Sequence, residues 1–228
     1  MRVFRALLLR GVICGVICGA APAYSGLALA QAASSQPAAA PRASPAQVQV
    51  DLLRGLADIF SRGMDTLTEK LKRQGYSARV YSTNGWRAVA EQTASRYFRG
   101  HKDIIVIIGH SLGANATFDI ANYLDQHNVP VELIVTFDAT DPRPVPKNVL
   151  HFVNFYQQNG FGKKVMASPD FKGELSNIDL TADTGLSHTT IEKSPRLHAM
   201  VMQKIADIVN ADLAKRVKAA QPKPKKRK

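Results

Sequence analysis

Cysteine is almost missing from this chain. Its 228 residues hold two, Cys14 and Cys18, both inside an apolar N-terminal stretch. Without that stretch the chain can build neither a disulfide framework nor a thiolate metal site. Acid is missing at both ends. Residues 1–30 carry Arg2, Arg5 and Arg10, and residues 214–228 carry eight Lys or Arg, with no Asp or Glu in either. Setting these eleven bases aside brings the net charge from +12 to +1. The basicity therefore belongs to the ends, and no aromatic-basic platform accompanies it, which argues against a specific nucleic-acid partner. No internal repeat is visible. No pair of His or acidic residues falls at metal-ligand spacing, so neither a metal nor an organic cofactor is expected.

What is present describes one globular domain with extensions. The apolar fraction is 45% and the charged fraction 21%, as in ordinary soluble chains of this length. Arg2 and Arg5 precede an apolar run that ends in Ala28-Leu29-Ala30, the small-x-small pattern of a secretory signal peptide. Residues 1–30 are expected to direct export to the periplasm or outside the cell. The uncharged stretch 11–30 is also about long enough to span a bilayer, which leaves a membrane anchor as the alternative. Ile13 and Ile17 stand where a lipoprotein signal requires small residues. Residues 31–46 are mostly Ala, Ser, Pro and Gln and read as a linker. The folded domain is expected over 47–213, followed by a basic, disordered tail over 214–228. A Lys/Arg cluster of this kind is either a solvated end or a weak electrostatic contact for anionic envelope surfaces.

Inside the domain, strand and helix patterns alternate. Gln47-Val48-Gln49-Val50-Asp51-Leu52 has a period of two and predicts a half-buried strand, although a helix over 48–60 fits the apolar spacing too. Helices are predicted over 62–74, 86–98, 114–126 and 195–217, and strands over 77–82, 103–108, 131–137, 149–156 and 176–180. The run Asp103-Ile104-Ile105-Val106-Ile107-Ile108 is so apolar that it must be buried on both faces, as central strands of parallel sheets are. The alternation implies βαβ units: an α/β fold with a mostly parallel central sheet and helices on both faces.

The segment Gly109-His110-Ser111-Leu112-Gly113 follows that buried strand and precedes a helix. G-x-S-x-G in this context predicts a sharp turn that lifts Ser111 clear of the sheet and brings the Leu112 N–H to a helix N-terminus. The other reading is a plain βα turn in which Ser111 caps the helix. A nucleophilic serine needs a base and an orienting acid. His188, in the loop after the last strand, is the favoured base, with His198 inside a helical pattern as the alternative. Asp138, at the carboxyl end of a strand, is the favoured acid, with Asp141, Asp170, Asp179 and Asp183 as alternatives. Arg54-Gly55-Leu56 follows the first strand and nominates the Leu56 N–H as second oxyanion donor, with Arg62-Gly63-Met64 as another possibility.

These residues resemble the lipase and esterase branch of the α/β-hydrolases in its small, lidless form. Gly109–Ala114 is similar to the lipase nucleophile motif, and Val135-Thr136-Phe137-Asp138-Ala139 to a strand-ending acid. Arg54 departs from the His usual before the oxyanion glycine. The resemblance covers roughly 47–213 and implies a minimal hydrolase without a cap domain. It also implies ester cleavage through a Ser111–Asp138–His188 triad and a covalent acyl-enzyme, with Leu112 and Leu56 as oxyanion donors. The expected substrate is a small or lipid-like ester, with 157–175, including Phe161 and Phe171, shaping the entrance. A thioesterase or peptidase uses the same triad, and a catalytically dead hydrolase fold binding the cell envelope is the non-enzymatic alternative.

Overall fold

A computed structural model describes residues 47–56 and 61–221. The expected signal peptide, the linker and the last seven residues of the tail lie outside these. Six strands, β1 (Val48–Leu53), β2 (Ser77–Tyr81), β3 (Ile104–His110), β4 (Val131–Phe137), β5 (Val149–Tyr156) and β6 (Glu174–Asp179), form one sheet. Its order is β2-β1-β3-β4-β5-β6, and all pairings are parallel. The helices are α1 (Arg62–Arg73), α2 (Trp86–Phe98), α3 (Leu112–Gln126) and α4 (Pro195–Ala220).

Strand side chains alternate between two cores. Val50 and Leu52 of β1, Val106 and Ile108 of β3, and Val135 and Phe137 of β4 pack with Met64, Leu67 and Leu71 of α1 and with Leu197, Val201 and Ile205 of α4. On the other face Leu53, Ile105, Ile107, Ile134 and Phe152 pack with Val89 and Ala90 of α2 and Phe118, Ile120 and Ala121 of α3. The chain leaves β1 for β2 on one side, then returns across it to β3. That reversal makes the carboxyl ends of β1 and β3 a topological switch point, where open α/β sheets bind ligands. No inserted domain separates the strands among the described residues. The architecture is the α/β one expected from the sequence, a parallel central sheet with helices on both faces.

Three expectations are corrected. β1 is not half-buried: Gln49 and Asp51 face α2, and Asp51 is fully covered. Gln49 Nε2 donates to Asp51 Oδ2 at 2.6 Å and lies 2.9 Å from the Thr93 hydroxyl, so the polar period of two reports a buried polar cluster. Burial raises the pKa of Asp51 above the usual carboxylate value. The helical reading of 48–60 fails because β1 pairs on both sides, with β2 and β3. Finally, α4 continues to Ala220, three residues past the helix end predicted at 217 and into the stretch expected to be disordered. Ala, Lys and Arg are good helix formers, and Arg216 bonds Asp212 one turn back. Pro195 opens this helix behind the Ser194 cap.

The sheet and α3 meet at two glycines. A Cβ on Gly109 would lie 2.3 Å from the Gly113 carbonyl oxygen, and one on Gly113 would lie 2.3 Å and 2.4 Å from the carbonyl oxygens of Arg54 and Leu53. Gly113→Ala is therefore expected to destabilise by about 1–3 kcal/mol through overpacking. That is a melting point lower by roughly 2–4 °C per kcal/mol for a domain of this size. Gly85→Ala, whose added carbon meets nothing nearer than 3.9 Å, is the control. Thermal melts followed by circular dichroism compare the two, and an unchanged Tm for Gly113→Ala would contradict this packing.

Candidate active site

Ser111 sits between β3 and α3 with φ 56° and ψ −121°, a backbone conformation that costs a non-glycine residue on the order of 1–3 kcal/mol. Hydrogen bonds hold it there: Ser111 N–H donates to the Phe137 carbonyl at 3.0 Å, and the Ser111 carbonyl accepts from Asn115 N–H at 3.1 Å. Its side chain does not cap α3. It points instead to His188, with Oγ 2.9 Å from Nε2. The helix-cap reading of this serine is thereby set aside.

Asp138 follows β4 and has φ 52°. Its N–H donates to the Phe155 carbonyl at 2.8 Å, its Oδ1 accepts the Gln157 N–H at 3.1 Å, and its Oδ2 lies 3.1 Å from His188 Nδ1. A carboxylate only accepts, so Nδ1 carries the proton and Nε2 is left to accept from the Ser111 hydroxyl. Asp138 is fully buried. The loop 157–173 closes over it: Lys163 N–H bonds the Ala139 carbonyl, and a Cβ on Gly162 would stand 2.1 Å from Asp138 Oδ1. Phe161 lies against the His188 ring, with centroids 4.9 Å apart. Phe171, expected at the entrance, packs instead against the α2/α3 core.

Leu56, Ser61, His110, Ser111, Leu112, Thr140, Phe161, His188 and Thr189 line a cleft of about 390 Å³. Both sequence-nominated oxyanion residues border it. Leu112 is the first residue of α3, and N–H groups of a helix's first turn have no intrahelical acceptor. The other nominee, Arg62-Gly63-Met64, opens α1, where Gly63 is pressed against Glu192. Arg54 does not enter the cleft lining; its guanidinium grips Asp65, with Nε 3.0 Å from Oδ2.

The rejected candidates have other employment. His198 is buried in α4 between the Glu192 carbonyl (2.7 Å) and Lys70 Nζ (3.1 Å). Asp179 bonds Thr181, Asp183 pairs with Arg196, and Asp141 lies exposed.

Sequence reasoning missed His110 and Ser61. His110 is the last residue of β3 and points to the α1/α4 side, as Val106 and Ile108 do. Its Nε2 lies 2.8 Å from the His188 carbonyl oxygen and its Nδ1 2.8 Å from the Ser61 hydroxyl, which accepts the Gly55 N–H at 2.7 Å. Ser61 is fully buried and His110 nearly so. The available signal was a polar residue in register with the buried face of an apolar strand. Burial pushes the His110 pKa down to about 4. Nearby, the Glu192 carboxyl is fully buried against the Gly63 and Met64 N–H groups that open α1, neither of which makes a well-formed hydrogen bond to it, with Lys193 Nζ 3.8 Å away. Burial raises its pKa to about 7.

No family model and no curated protein matches the sequence. The fold is similar to solved structures at low identity. Human thioesterase 2 shares 13% identity, with 73% of this chain and 97% of that one covered, at a TM-score of 0.49. A cutinase-like protein from Cryptococcus sp. shares 13%, covering 73% and 97%, at 0.47. A serine hydrolase without a lid from Xanthomonas campestris shares 14%, covering 78% and 85%, at 0.38.

The two buried groups give opposite pH dependences. Between pH 6.5 and about 4 the unfolded chain protonates His110 and the folded one does not, so stability is lost as pH falls through this window. Between pH 4.5 and about 7 the folded chain keeps the Glu192 proton that the unfolded one releases, so stability is lost as pH rises. Glu192→Gln, which mimics the protonated acid, is expected to raise Tm at pH 8 and to leave it nearly unchanged at pH 5. Melting curves across pH 4–8 check this; an equal shift at both pH values would contradict it.

Proposed function

We propose that this protein is a serine hydrolase that cleaves uncharged carboxylic esters, exported to the periplasm or beyond. The observation that carries the reading is one line of contacts: Ser111 Oγ to His188 Nε2 at 2.9 Å, and His188 Nδ1 to Asp138 Oδ2 at 3.1 Å. It supports nucleophilic acyl transfer. His188 removes the Ser111 proton as Oγ attacks the ester carbonyl, and Asp138 holds the imidazole and stabilises its charge. The Leu112 and Leu56 N–H groups stabilise the tetrahedral oxyanion, a contribution typically on the order of 10²–10³ in rate for one donor. His188 then gives its proton to the departing alcohol. Water, activated by the same imidazole, attacks the acyl-enzyme and frees the acid.

The cleft favours esters over charged thioesters. Its described lining contains no Lys, Arg, Asp or Glu, while Leu56, Leu112 and Phe161 offer exposed apolar surface. A substrate bearing phosphates, as coenzyme thioesters do, finds no cationic partner among those residues. The line of triad contacts likewise speaks against a dead fold whose only role is envelope binding.

The test uses the full chain with p-nitrophenyl esters of increasing acyl length and acyl-coenzyme A of matched chains. Esters are expected to turn over well above the thioesters, with Ser111→Ala and Asp138→Asn each lowering kcat by about 10⁴-fold or more. Turnover unaffected by Ser111→Ala would refute the hydrolase reading. A preference for acyl-coenzyme A would refute the substrate class.

A further inference from the structure

We infer that His110 and Ser61 are positioning residues that couple the loop carrying the second oxyanion donor to the loop carrying the catalytic base. The inference rests on the hydrolase reading above and concerns a chain of four groups: the Gly55 amide, the Ser61 hydroxyl, the His110 imidazole and the His188 carbonyl. The three links measure 2.7, 2.8 and 2.8 Å.

The two ends of the chain, together with a ring that burial keeps neutral, fix every proton in it. The His188 carbonyl can only accept, so His110 Nε2 carries a hydrogen and donates. The neutral ring then has a bare Nδ1, which accepts from the Ser61 hydroxyl. The Gly55 amide can only donate, and the Ser61 oxygen accepts it. Every group is satisfied in one direction, and Ser61 and His110 are sealed from water. A buried polar network that is satisfied in only one way specifies one geometry.

The placement of the chain gives it a function. Gly55 precedes Leu56, so the bond from its amide fixes the backbone that presents the second oxyanion donor. His188 is held through its own carbonyl, one bond from the Cα that carries its imidazole. His110 joins the two and is adjacent in sequence to Ser111, so the turn between β3 and α3 is the reference for both. The rings of His110 and His188 also pack together, with centroids 5.1 Å apart. Neither side chain is required to touch the reacting bond; they act by placing the groups that do.

The experiment measures kcat and KM for an ester substrate on the full chain with Ser61→Ala, His110→Met, the double variant, His110→Gln and Ser111→Ala. Ser61→Ala and His110→Met are each expected to lower kcat by roughly 10–10²-fold, the cost of sub-ångström misplacement, with KM changed less than about threefold. Because the two residues form one relay, the double variant is expected to be no worse than the poorer single one. His110→Gln supplies an amide N–H and a carbonyl in place of the ring nitrogens and is expected to recover most of the loss. Ser61→Ala removes a single hydroxyl and carries the test where His110→Met does not fold.

Losses that multiply in the double variant, or a kcat within twofold of wild type in both singles, would overturn the coupling. A wild-type protein without Ser111-dependent turnover would overturn the hydrolase reading and this inference together. An active wild type indifferent to both substitutions would overturn the inference alone.

Discussion

Everything in the site depends on the backbone of Ser111 being held at a positive φ. The conformation is costly for serine, and it persists because three segments approach more closely than side chains would allow. Gly109 faces the Gly113 carbonyl, and Gly113 faces the carbonyls at the end of β1. The turn is pinned to β4 through the Ser111 N–H and the Phe137 carbonyl. One strained residue thereby presents its hydroxyl above the sheet and brings α3 in with its N-terminus toward the cleft. Asp138 repeats the device at the end of β4, with its own positive φ and its N–H bonded to β5. Adjacent parallel strands, each ending in a left-handed turn, set serine and acid on one edge, with the imidazole bridging them.

The α1/α4 side of the sheet carries the supporting polar groups. His110, Ser61, Glu192 and His198 are all buried there, on the side of the core that α1 and α4 cover. Buried ionisable groups are tolerated when their neutral forms are satisfied or when ionisation is suppressed. His110 meets the first condition through its two hydrogen bonds. Glu192 meets the second, since burial raises its pKa to about 7. Both sit beside the two loops that complete the cleft, so polar order beneath the site and geometry within it are the same construction seen from two sides.

Much of this was legible in the sequence because it is carried by local rules. The uninterrupted β-branched run of β3, the glycines at 109 and 113, and the strand–helix alternation are short-range signals with direct structural meaning. The pairing of Ser111 with Asp138 and His188 followed from chain order and strand ends, and hydrogen-bond distances bring those three together. Other features depend on which residues meet across the fold. His110 looked like part of a motif, and its value comes from Ser61, 49 residues before it, and His188, 78 residues after it. Asp51 read as the outward half of an amphipathic strand, whereas α2 covers it and Gln49, Tyr81 and Thr93 supply its polar partners. Gly162 gave no local sign that it lies against the acid. α4 runs three residues past the predicted 217 because helix propensity carries it on to Ala220, where the Lys/Arg-rich sequence reads as solvated chain.

The central claim is that Ser111 is a nucleophile activated by His188, and covalent labelling tests it without assuming a substrate. The full chain treated with a fluorophosphonate is expected to take up one label, on the tryptic peptide that contains Ser111, read by mass spectrometry. In His188→Ala the labelling rate is expected to fall by about 10²-fold or more, the usual contribution of a positioned general base. A label on another residue, no label at all, or Ser111 labelling indifferent to the loss of His188 would contradict the account.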